Sequence, residues 1–495
     1  MVYTTLYTLI YLILGHFYIV LRVSIINNMD LKKCDRTLQP SQIGTLRAIG
    51  EVASELGERC YLVGGAVRDC LLGKPNKDLD IVCSNSERVV TELASRLEKQ
   101  TGKKPTVATF KKFGTHQIKM LGEEVEFVDP RKETYAYQSI KPEVSKGDFT
   151  DDAMRRDFTV NALYLGIQKD DWMKVVDLTG KGMEDLKSNL LRTPLDPEVT
   201  FRDDPTRLLR LSRFNACKGF DIEPTTKATA KKSSPEVKRV PFETIKQLLE
   251  DSITCNGYVR SLDELGFLKL IVPEFDLLKG LNQGPHHRYD AAEHTLKVID
   301  ALPKDYKMRL VGLLHDLGKY DANKAFFNLH GHEEYSTNKA IEIADRLKLS
   351  NEDKKYITHM VQHHMDLLHL MNEVKPEINK KPSTKALRTF MNKNEGYEND
   401  LIEFAHADIE ATGYPRQDDH RKLDIIQTLI RDEKAKMGEK PFKLQISGKD
   451  VMDALGIKEG MEVGKALSAL KDKVIEGSIE NKREDLLRSL KDLKK

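Results

Sequence analysis

The stretch "YLVGGAVRDCLLGKPNKDLDIVCS", residues 61 to 84, decides the fold of the first part of the chain. It predicts a short buried strand, a glycine turn, a helix closed by Gly73 and a second strand that carries Asp78 and Asp80. Side chains two residues apart in a strand point to the same face, so the two carboxylates should project together. Because like charges repel, a cation is expected between them, and hard carboxylate oxygens suit Mg²⁺.

The neighbouring sequence extends this pattern into an α/β unit that ends near residue 185. Apolar residues at helical spacing predict a helix over 41–59, and "RVVTELASRLEKQ" predicts another after the second strand. "THQIKMLGEEVEFVDP" predicts a hairpin with its turn near Gly122, and it places Glu126 as a third carboxylate on a neighbouring strand. Beyond residue 185 the pattern is almost wholly helical, so the predicted fold class is α+β, a mixed sheet followed by an all-helical region.

The composition is that of a soluble globular protein with several units. A chain of 495 residues suggests three or four domains of about 150 residues each. The net charge of +2 means that any nucleic-acid surface must come from clustered Lys and Arg. Six cysteines without a Cys-x-x-Cys pair predict neither a disulfide framework nor a zinc knuckle, and they favour a reducing, cytoplasmic compartment.

Residues 1–28 differ from everything that follows. "VYTTLYTLIYLILGHFYIVL" contains no charged residue, and its length permits a membrane span. It is longer than a signal h-region and lacks a basic n-region and a small-residue cleavage site. The third interpretation is an upstream extension, with Met29 as the true start. A membrane partner follows only if this segment belongs to the mature protein.

The glycine pair and the Asp-x-Asp strand together are typical of a nucleotidyltransferase palm. Gly64 and Gly65 let the backbone approach a triphosphate, and the following helix N-terminus offers free N–H groups to it. Two Mg²⁺ ions on such carboxylates can activate a 3′-hydroxyl and neutralise a leaving pyrophosphate. The alternative is a solvated Asp-x-Asp on an edge strand.

Four motifs make the resemblance specific. "LVGGAVRDCLLG...DLDIV", "RRDFTVNALYL", "DLTGKGMEDL" and "DDPTRLLRLSRF" occur in the order found in class II tRNA nucleotidyltransferases, which this chain resembles from about residue 60 to its C-terminal end. Bacterial poly(A) polymerases share the same head. The resemblance implies template-independent addition and repair of the 3′-terminal CCA of tRNA, with CTP, ATP and Mg²⁺ and without DNA. It leaves a homodimer open.

The resemblance also implies which residues bind the nucleotide. Asp204 and Arg207 match the pair that reads the pairing edge of C or A, and Asp203 stands where the family usually has Glu. The other matching positions, expected near the sugar and the phosphates, are Arg68, Arg156, Asp157, Asn161 and Arg210.

The assignments of the arginines and of Asp157 to nucleotide binding have alternatives. Arg207, Arg210 and Arg213 recur every third residue and could equally form a solvated stripe, and Asp157 could be a helix cap. The polar segment 131–152 resembles the flexible loop that the family uses when it switches from C to A addition, so it favours addition of the full CCA.

The helical half carries a second set of candidate ligands. They follow the His...His-Asp...Asp order of HD phosphohydrolases, which this region resembles, and they are His294, His315, Asp316 and Asp408, with His332 and His364 as additional histidines. Imidazole and carboxylate suit a divalent metal, and Mg²⁺, Mn²⁺, Ni²⁺ and Co²⁺ stay open. The resemblance implies hydrolysis of phosphoesters, including 2′,3′-cyclic phosphates. Each histidine alone could be an ordinary core or surface residue.

The predicted organisation has five parts. They are the hydrophobic segment 1–28, a nucleotidyltransferase head over 29–185, a helical neck over 186–275, an HD domain over 276–420 and a helical body and tail over 421–495. Two other functions stay open at this point. One is a poly(A) polymerase, and the other is a non-catalytic RNA-binding protein that kept the fold.

Overall fold

The computed structural model describes most of the chain after residue 33. The described residues are Cys34, 36–110, 114–136, 139–326, 328–378, 380–414, 416–437, 444–475 and 478–492. The hydrophobic segment 1–28, with its predicted membrane span or extension, lies outside them. Across the part that is described, no helix combines the length and the apolar character that crossing a membrane requires.

The chain divides into two compact units. One unit runs to Thr244 and includes Ser261–Leu270, and the other comprises Ile245–Arg260 and the chain from Ile271 onward. The first contains the sheets, and the second is helical. This confirms the predicted α+β class, with a mixed sheet followed by a helical region.

A seven-stranded mixed sheet forms the first unit, in the order β3-β4-β5-β2-β1-β8-β9. Its strands are β1 Cys60–Val63, β2 Leu79–Cys83, β3 Val107–Phe110, β4 Thr115–Met120, β5 Glu123–Val128, β8 Leu163–Gly166 and β9 Val175–Asp177. Two small sheets pair β6 Arg131–Thr134 with β7 Glu143–Lys146, and β10 Leu190–Leu191 with β11 Asp221–Ile222. The parallel pairing of β2 with β5 brings the two carboxylate-bearing strands side by side.

Helices flank these strands, and the last three of those named next cross the boundary between the two units. They are α1 Pro40–Leu56, α2 Gly65–Leu71, α3 Ser86–Thr101, α4 Phe149–Met154, α5 Gly182–Lys187, α6 Pro197–Asp203, α7 Thr206–Lys218, α8 Pro224–Lys232, α9 Phe242–Ser252, α10 Tyr258–Glu264 and α11 Leu268–Ile271. Local signals explain their ends. Pro40 opens α1, Gly57 closes it with φ of 69°, and the Asn85 side chain caps α3. The predicted helices and the β4–β5 hairpin are confirmed.

The second unit is built from helices packed on one another. They are α12 Ala291–Ala301, α13 Tyr306–Leu314, α14 Lys319–Phe326, α15 His332–Arg346, α16 Asn351–His363, α17 Asp366–Glu373, α18 Thr384–Lys393, α19 Glu398–Ala411, α20 Gln417–Met437, α21 Gly448–Leu455, α22 Met461–Ile475 and α23 Arg483–Asp492. The last three share a small core around Val451, Leu470 and Leu486, all fully buried.

The polar segment 131–152 is more ordered than the predicted loop. Antiparallel pairing of β6 with β7 aligns Arg131 with Lys146 and Thr134 with Glu143, and α4 follows. Four-residue polar strands carry too little apolar alternation to be detected in a sequence. The side chain of Glu133 accepts a hydrogen bond from Arg155, which fastens the hairpin to the residues after α4.

The prediction that the cysteines form no disulfide framework is wrong. Cys60 and Cys83 are direct partners in the antiparallel β1–β2 register and are bonded to each other. Cys34 is bonded to Cys70 of α2, and none of the cysteines among the described residues is free. Sequence separations of 36 and 23 residues give no hint of these pairs, because only strand register and helix packing bring them together.

Candidate functional site

The glycine turn between β1 and α2 has a backbone that only glycine adopts without strain. Gly64 has φ of 72° and ψ of −136°. A Cβ at this position would lie 3.4 Å from Nη1 of Arg156 and 3.6 Å from Oδ2 of Asp80. The turn therefore brings bare main chain beside the acidic strand, as the sequence predicts for a triphosphate cradle.

We expect Gly64→Ala to destabilise the protein by about 1–3 kcal/mol, because a side chain there forces a sparsely populated backbone conformation. Equilibrium urea unfolding measures the loss. Gly65→Ala is the matched control, since Gly65 starts α2 and its added Cβ would have nothing closer than 3.4 Å. Equal losses in the two variants would contradict the assignment of strain to the turn.

Three carboxylates gather at β2 and β5. The parallel register pairs Asp80 with Glu126, and Asp78 immediately precedes β2. On the far side, Gln117 of β4 donates a hydrogen bond of 3.1 Å to Oε2 of Glu126. Asp80 and Glu126 thus stand next to each other on adjacent strands, where the sequence predicts them.

The electrostatics of this group favour a bound cation. Burial, followed by the charges of Glu126 and Asp78, raises the pKa of Asp80 to about 6, and Arg156 only partly offsets this. A carboxylate held ionised in such surroundings is destabilised unless a cation neutralises it. The donor set, carboxylate oxygens alone, fits Mg²⁺.

Arg156 is held in place by a buried acid that sequence reasoning missed. Asp152 of α4 is fully buried and accepts hydrogen bonds from Arg156 at 2.9 Å and from the Tyr164 hydroxyl at 2.6 Å. Its other oxygen accepts from Arg155 at 2.9 Å. The spacing of Asp152 three and four residues before the arginine pair was the signal that could have identified it.

A chain of polar contacts links α7 to the glycine turn. Arg210 donates to Asp157 at 2.6 Å, and Asn161 donates to the same side chain at 2.9 Å. Asn161 in turn accepts from Arg68 at 2.6 Å, and Arg68 also binds Asp69. Although burial opposes it, Arg210 lowers the pKa of Asp157, so the Asp157–Arg210 pair is ionised.

Several residues predicted to bind nucleotide make hydrogen bonds to one another. Arg68 is buried, and its guanidinium is engaged by Asn161 and Asp69. The structure thus places Arg68, Asp157, Asn161 and Arg210 in one network beneath the turn.

The two residues predicted to read the base lie at the start of α7. Oδ1 of Asp204 accepts from the backbone N–H and the hydroxyl of Thr206, at 3.0 and 2.6 Å. Oδ2 of Asp204 lies 3.6 Å from Nε of Arg207. Arg207 is oriented by donating to the Arg155 carbonyl at 2.6 Å. One carboxylate oxygen and one guanidinium are thereby presented side by side.

The second unit collects all six predicted metal ligands from five helices or their ends. Nε2 of His294 lies 2.9 Å from Oδ1 of Asp408, and Nε2 of His315 lies 3.8 Å from the same oxygen. The carboxylate of Asp316 spans two groups, with Oδ2 3.1 Å from His315 and Oδ1 3.2 Å from His332. Two sets have ligand atoms close enough for one ion each: His294, His315 and Asp408, and Asp316, His332 and His364.

Hydrogen bonds to main-chain carbonyls fix the histidine tautomers. Nδ1 of His315, His332 and His364 lies 2.8, 2.8 and 2.6 Å from the carbonyl oxygens of Gly312, Leu329 and Val361, respectively. A carbonyl oxygen only accepts, so each Nδ1 carries a proton and each Nε2 is the ring nitrogen that faces the neighbouring side chains. Burial, with the neighbouring His332 and His315, also lowers the pKa of His364 to about 3, which keeps that ring neutral.

This arrangement calls for a cation. Nε2 of His332 and Nε2 of His364 are 3.1 Å apart, and since both Nδ1 atoms are already protonated, this contact needs a further proton or a cation. Nε2 of His315 is buried without a hydrogen bond of ordinary geometry, whereas the buried Asp316 carboxylate is in ion-pair contact with Lys319. Imidazole nitrogens with carboxylates are ligands that transition metals prefer. The residues present therefore fit a divalent metal.

Two polar side chains beside the cluster were missed by sequence reasoning. Nζ of Lys319 lies 2.6 Å from Oδ2 of Asp316 and donates to Gln283 at 2.6 Å. The ring of His287 stands edge-on to His294, with centroids 5.1 Å apart, and burial followed by the charge of Lys319 lowers its pKa to about 4. Lys319 follows His315 and Asp316 by one helical turn, which was the available signal.

Two family profiles match separate parts of the chain. The Poly A polymerase head domain matches residues 60–192, and tRNA nucleotidyltransferase domain 2 matches residues 416–490. The histidine-rich cluster lies between the two matched segments.

Curated relatives match much longer stretches. The chain is 29% identical to the CC-adding tRNA nucleotidyltransferase of Thermus thermophilus, over 86% of this chain and 91% of the relative. It is 31% identical to the A-adding tRNA nucleotidyltransferase of Deinococcus radiodurans, over 65% of this chain and 74% of the relative. It is 33% identical to the multifunctional CCA protein of Actinobacillus pleuropneumoniae, over 64% of this chain and 77% of the relative.

Solved structures share the fold. A CCA-adding enzyme in complex with ATP has a TM-score of 0.62 at 21% identity, covering 93% of this chain and 98% of that one. The Thermotoga maritima CCA-adding enzyme complexed with tRNA has a TM-score of 0.58 at 21% identity, covering 93% of this chain and 97% of that one. At this level of identity the likeness extends to the fold alone.

Proposed function

Since the chain belongs to the tRNA nucleotidyltransferase family, we propose that it adds and repairs the 3′-terminal CCA of tRNA with CTP and ATP. The observation that carries the proposal is the pairing of Asp80 with Glu126 beside the positive-φ turn at Gly64. In the reaction, the RNA 3′-hydroxyl forms a bond to the α-phosphorus as the bond to the leaving pyrophosphate breaks.

The chain's own residues divide the work of this step. Asp78 and Asp80 would hold Mg²⁺, which when bound supplies positive charge for the developing oxyanions. Glu126 adds negative charge on the neighbouring strand and is itself positioned by Gln117. Arg156, held by Asp152, supplies a fixed cation beside the Gly64 turn.

Base selection is assigned to Asp204 and Arg207. Cytosine and adenine each show an amino donor beside a ring-nitrogen acceptor, so one carboxylate oxygen and one guanidinium can pair with both. Uracil and guanine leave these groups unpaired. Relatives named as CC-adding and A-adding show that some members of the family divide this task. The presence of the segment 131–152, which resembles the loop used in the switch from C to A addition, favours the complete sequence here.

The test offers CTP, ATP, UTP and GTP to tRNA that lacks its 3′ end. Ordered addition of two C residues and one A supports the proposal. A homopolymer of A indicates a poly(A) polymerase, addition that stops after CC or requires preformed CC indicates a specialised enzyme, and no incorporation indicates a binding protein.

Asp204→Asn is expected to weaken the preference for CTP over UTP. Oδ1 is committed to Thr206, so the asparagine amide would occupy the position of Oδ2 and turn an acceptor into a donor. We expect the CTP-over-UTP ratio of kcat/KM to fall about 100-fold, equal to about 2.7 kcal/mol for a lost charged hydrogen bond. Asp203→Asn, next to it and beside Arg202, is the control and should keep the preference. An unchanged ratio in Asp204→Asn would contradict the assignment.

We propose as a second activity that the helical unit hydrolyses phosphoesters, including 2′,3′-cyclic phosphates, as an HD phosphohydrolase. Support comes from the converging Nε2 atoms of His315, His332 and His364 next to Asp316. A divalent metal held there would polarise the phosphoryl group. Lys319 and His287 add polar groups beside it.

Such a hydrolase would remove a 2′,3′-cyclic phosphate that blocks a tRNA end, so repair and addition make chemical sense in one chain.

The proposed boundaries remain a head over 29–185, a neck over 186–275, an HD domain over 276–420 and a tail over 421–495. Mg²⁺, Mn²⁺, Ni²⁺ and Co²⁺ are alternatives for its ion.

A further inference from the structure

A second group of histidines lies in the helical unit, apart from the metal cluster. His406 of α19 and His420 of α20 face each other with their Nδ1 atoms 2.8 Å apart and their ring planes within 3° of parallel. Nε2 of His406 lies 3.7 Å from Oδ1 of Asp424, which is one helical turn beyond His420. Neither of the proposed activities uses these three side chains.

The pair is separate from the cluster that contains Asp408. His406 and Asp408 are two residues apart on α19, and an α-helix turns about 100° per residue. The two side chains therefore leave the helix about 200° apart. Asp408 contacts His294, whereas His406 is directed to α20.

The geometry is close to that of two ligands on one ion. Two imidazole nitrogens on a tetrahedral ion, with bonds of about 2.0–2.1 Å, sit about 3.3 Å apart. The Nδ1 atoms now point at each other along a shared proton, so to bind a metal instead the side chains would have to separate by about 0.5 Å and both rings would have to turn toward one ion. The His406 side chain is 30% exposed, so an ion can enter from solvent.

We propose that His406 and His420 form a surface site for a transition-metal ion, bound through both Nδ1 atoms, with the Asp424 carboxylate beside Nε2 of His406. Two neutral imidazoles select Zn²⁺, Ni²⁺, Co²⁺ or Cu²⁺ over Mg²⁺. The Asp424 carboxylate, 3.7 Å from Nε2 of His406, electrostatically favours a proton on that nitrogen, which is the tautomer that such ligation needs. The bound ion ties α19, which carries Asp408, to α20.

The test is a Zn²⁺ titration of the full chain in competition with a chromophoric chelator. His420→Ala is expected to bind one equivalent of Zn²⁺ fewer than the unmodified protein. His369→Ala is the matched control, because His369 is exposed on α17 outside both histidine groups, and it should keep the full number. The ions of the main cluster contribute equally to all three measurements.

An unchanged Zn²⁺ stoichiometry in His420→Ala overturns the proposal and leaves a hydrogen-bonded histidine pair. Far-UV circular dichroism verifies that the variant keeps its helices. If His420→Ala loses its helices, Zn²⁺ binding is measured in Asp424→Asn instead, because the Asp424 side chain is 70% exposed and its replacement does not disturb the core. About tenfold weaker Zn²⁺ binding at one site supports the proposal, and unaltered binding overturns it.

Discussion

Replacing Asp80 by asparagine is expected to reduce nucleotide incorporation into tRNA by at least about 10³-fold, equal to about 4 kcal/mol of transition-state stabilisation. An amide oxygen is neutral, so it would not balance the charge of a bound Mg²⁺, and the acidic pair with Glu126 would lose one of its two members. A loss of this size in kcat/KM, measured with CTP and tRNA lacking its 3′ end, is the expected result.

The same substitution is expected to make the metal-free protein more stable at neutral pH. The pKa of Asp80 is about 6 in the folded chain, against 3.8 for an ordinary aspartate. Stability is therefore lost as the pH rises from about 4 to about 6, because the folded state binds the proton more tightly than the unfolded state. Asparagine carries no charge to lose, so we expect a gain of about 2 kcal/mol at pH 7.5 and almost none at pH 4.

Equilibrium urea unfolding with a chelator present measures this gain, and excess Mg²⁺ should shrink it by neutralising Asp80 in the unmodified protein. Asp170→Asn is the matched control, because Asp170 is 66% exposed and pairs with Arg59 on the surface, where ion pairs contribute little. An inactive but more stable variant shows that the substitution removes a group needed for the reaction and leaves the fold intact. Destabilisation at pH 7.5, or retained incorporation, would contradict the assignment of Asp80.

The acidic site was predictable because its information is local. The Asp-x-Asp spacing predicts that Asp78, just before β2, and Asp80, within it, project together, and the glycine pair marks the turn ahead of them. The position of Glu126 was harder to predict, because a hairpin pattern indicates the strand β5 but not that its other edge pairs with β2. The parallel register that sets Asp80 opposite Glu126 is a property of the folded sheet.

The partners of buried charges were not predictable in this way. Arg68 is a basic residue beside a phosphate-type turn, yet its guanidinium is satisfied by Asn161 and Asp69. Cys60 and Cys83 meet only because β1 and β2 pair in one particular register. Such contacts depend on which side chains tertiary packing leaves next to each other, and spacing along the chain does not record that.

The histidine cluster was also predictable only in part. The order of His294, His315, Asp316 and Asp408 along the chain matches a known pattern, so the types of side chain that gather in the cluster could be predicted from the sequence. The tautomers could not, because they depend on carbonyl groups three residues earlier, such as Gly312 for His315. These hydrogen bonds are what turns the imidazole Nε2 atoms toward one another.

His315→Ala is expected to abolish metal-dependent hydrolysis of bis(p-nitrophenyl) phosphate and of 2′,3′-cyclic AMP, by about 10³-fold or more. Its Nε2 lies between Asp316 and Asp408, at 3.1 and 3.8 Å, so its loss removes the side chain that faces both acidic ligands. Incorporation of CMP into tRNA is expected to stay within about twofold, since the acidic strand and the base-selecting pair are untouched.

His359→Ala is the matched control for lost packing, because His359 lies in the same unit, is part-buried and hydrogen-bonds Asn394 outside the cluster. It should keep both activities. His315→Gln, which retains bulk beside Phe404, separates a cavity effect from loss of the ligand and should be as inactive in hydrolysis as the alanine variant. Hydrolysis that survives in His315→Ala would exclude the cluster as the hydrolytic centre. Loss of CMP incorporation in the same variant would show that the two activities depend on each other, because a ligand substitution confined to the helical unit reaches the transferase chemistry only if the two are coupled.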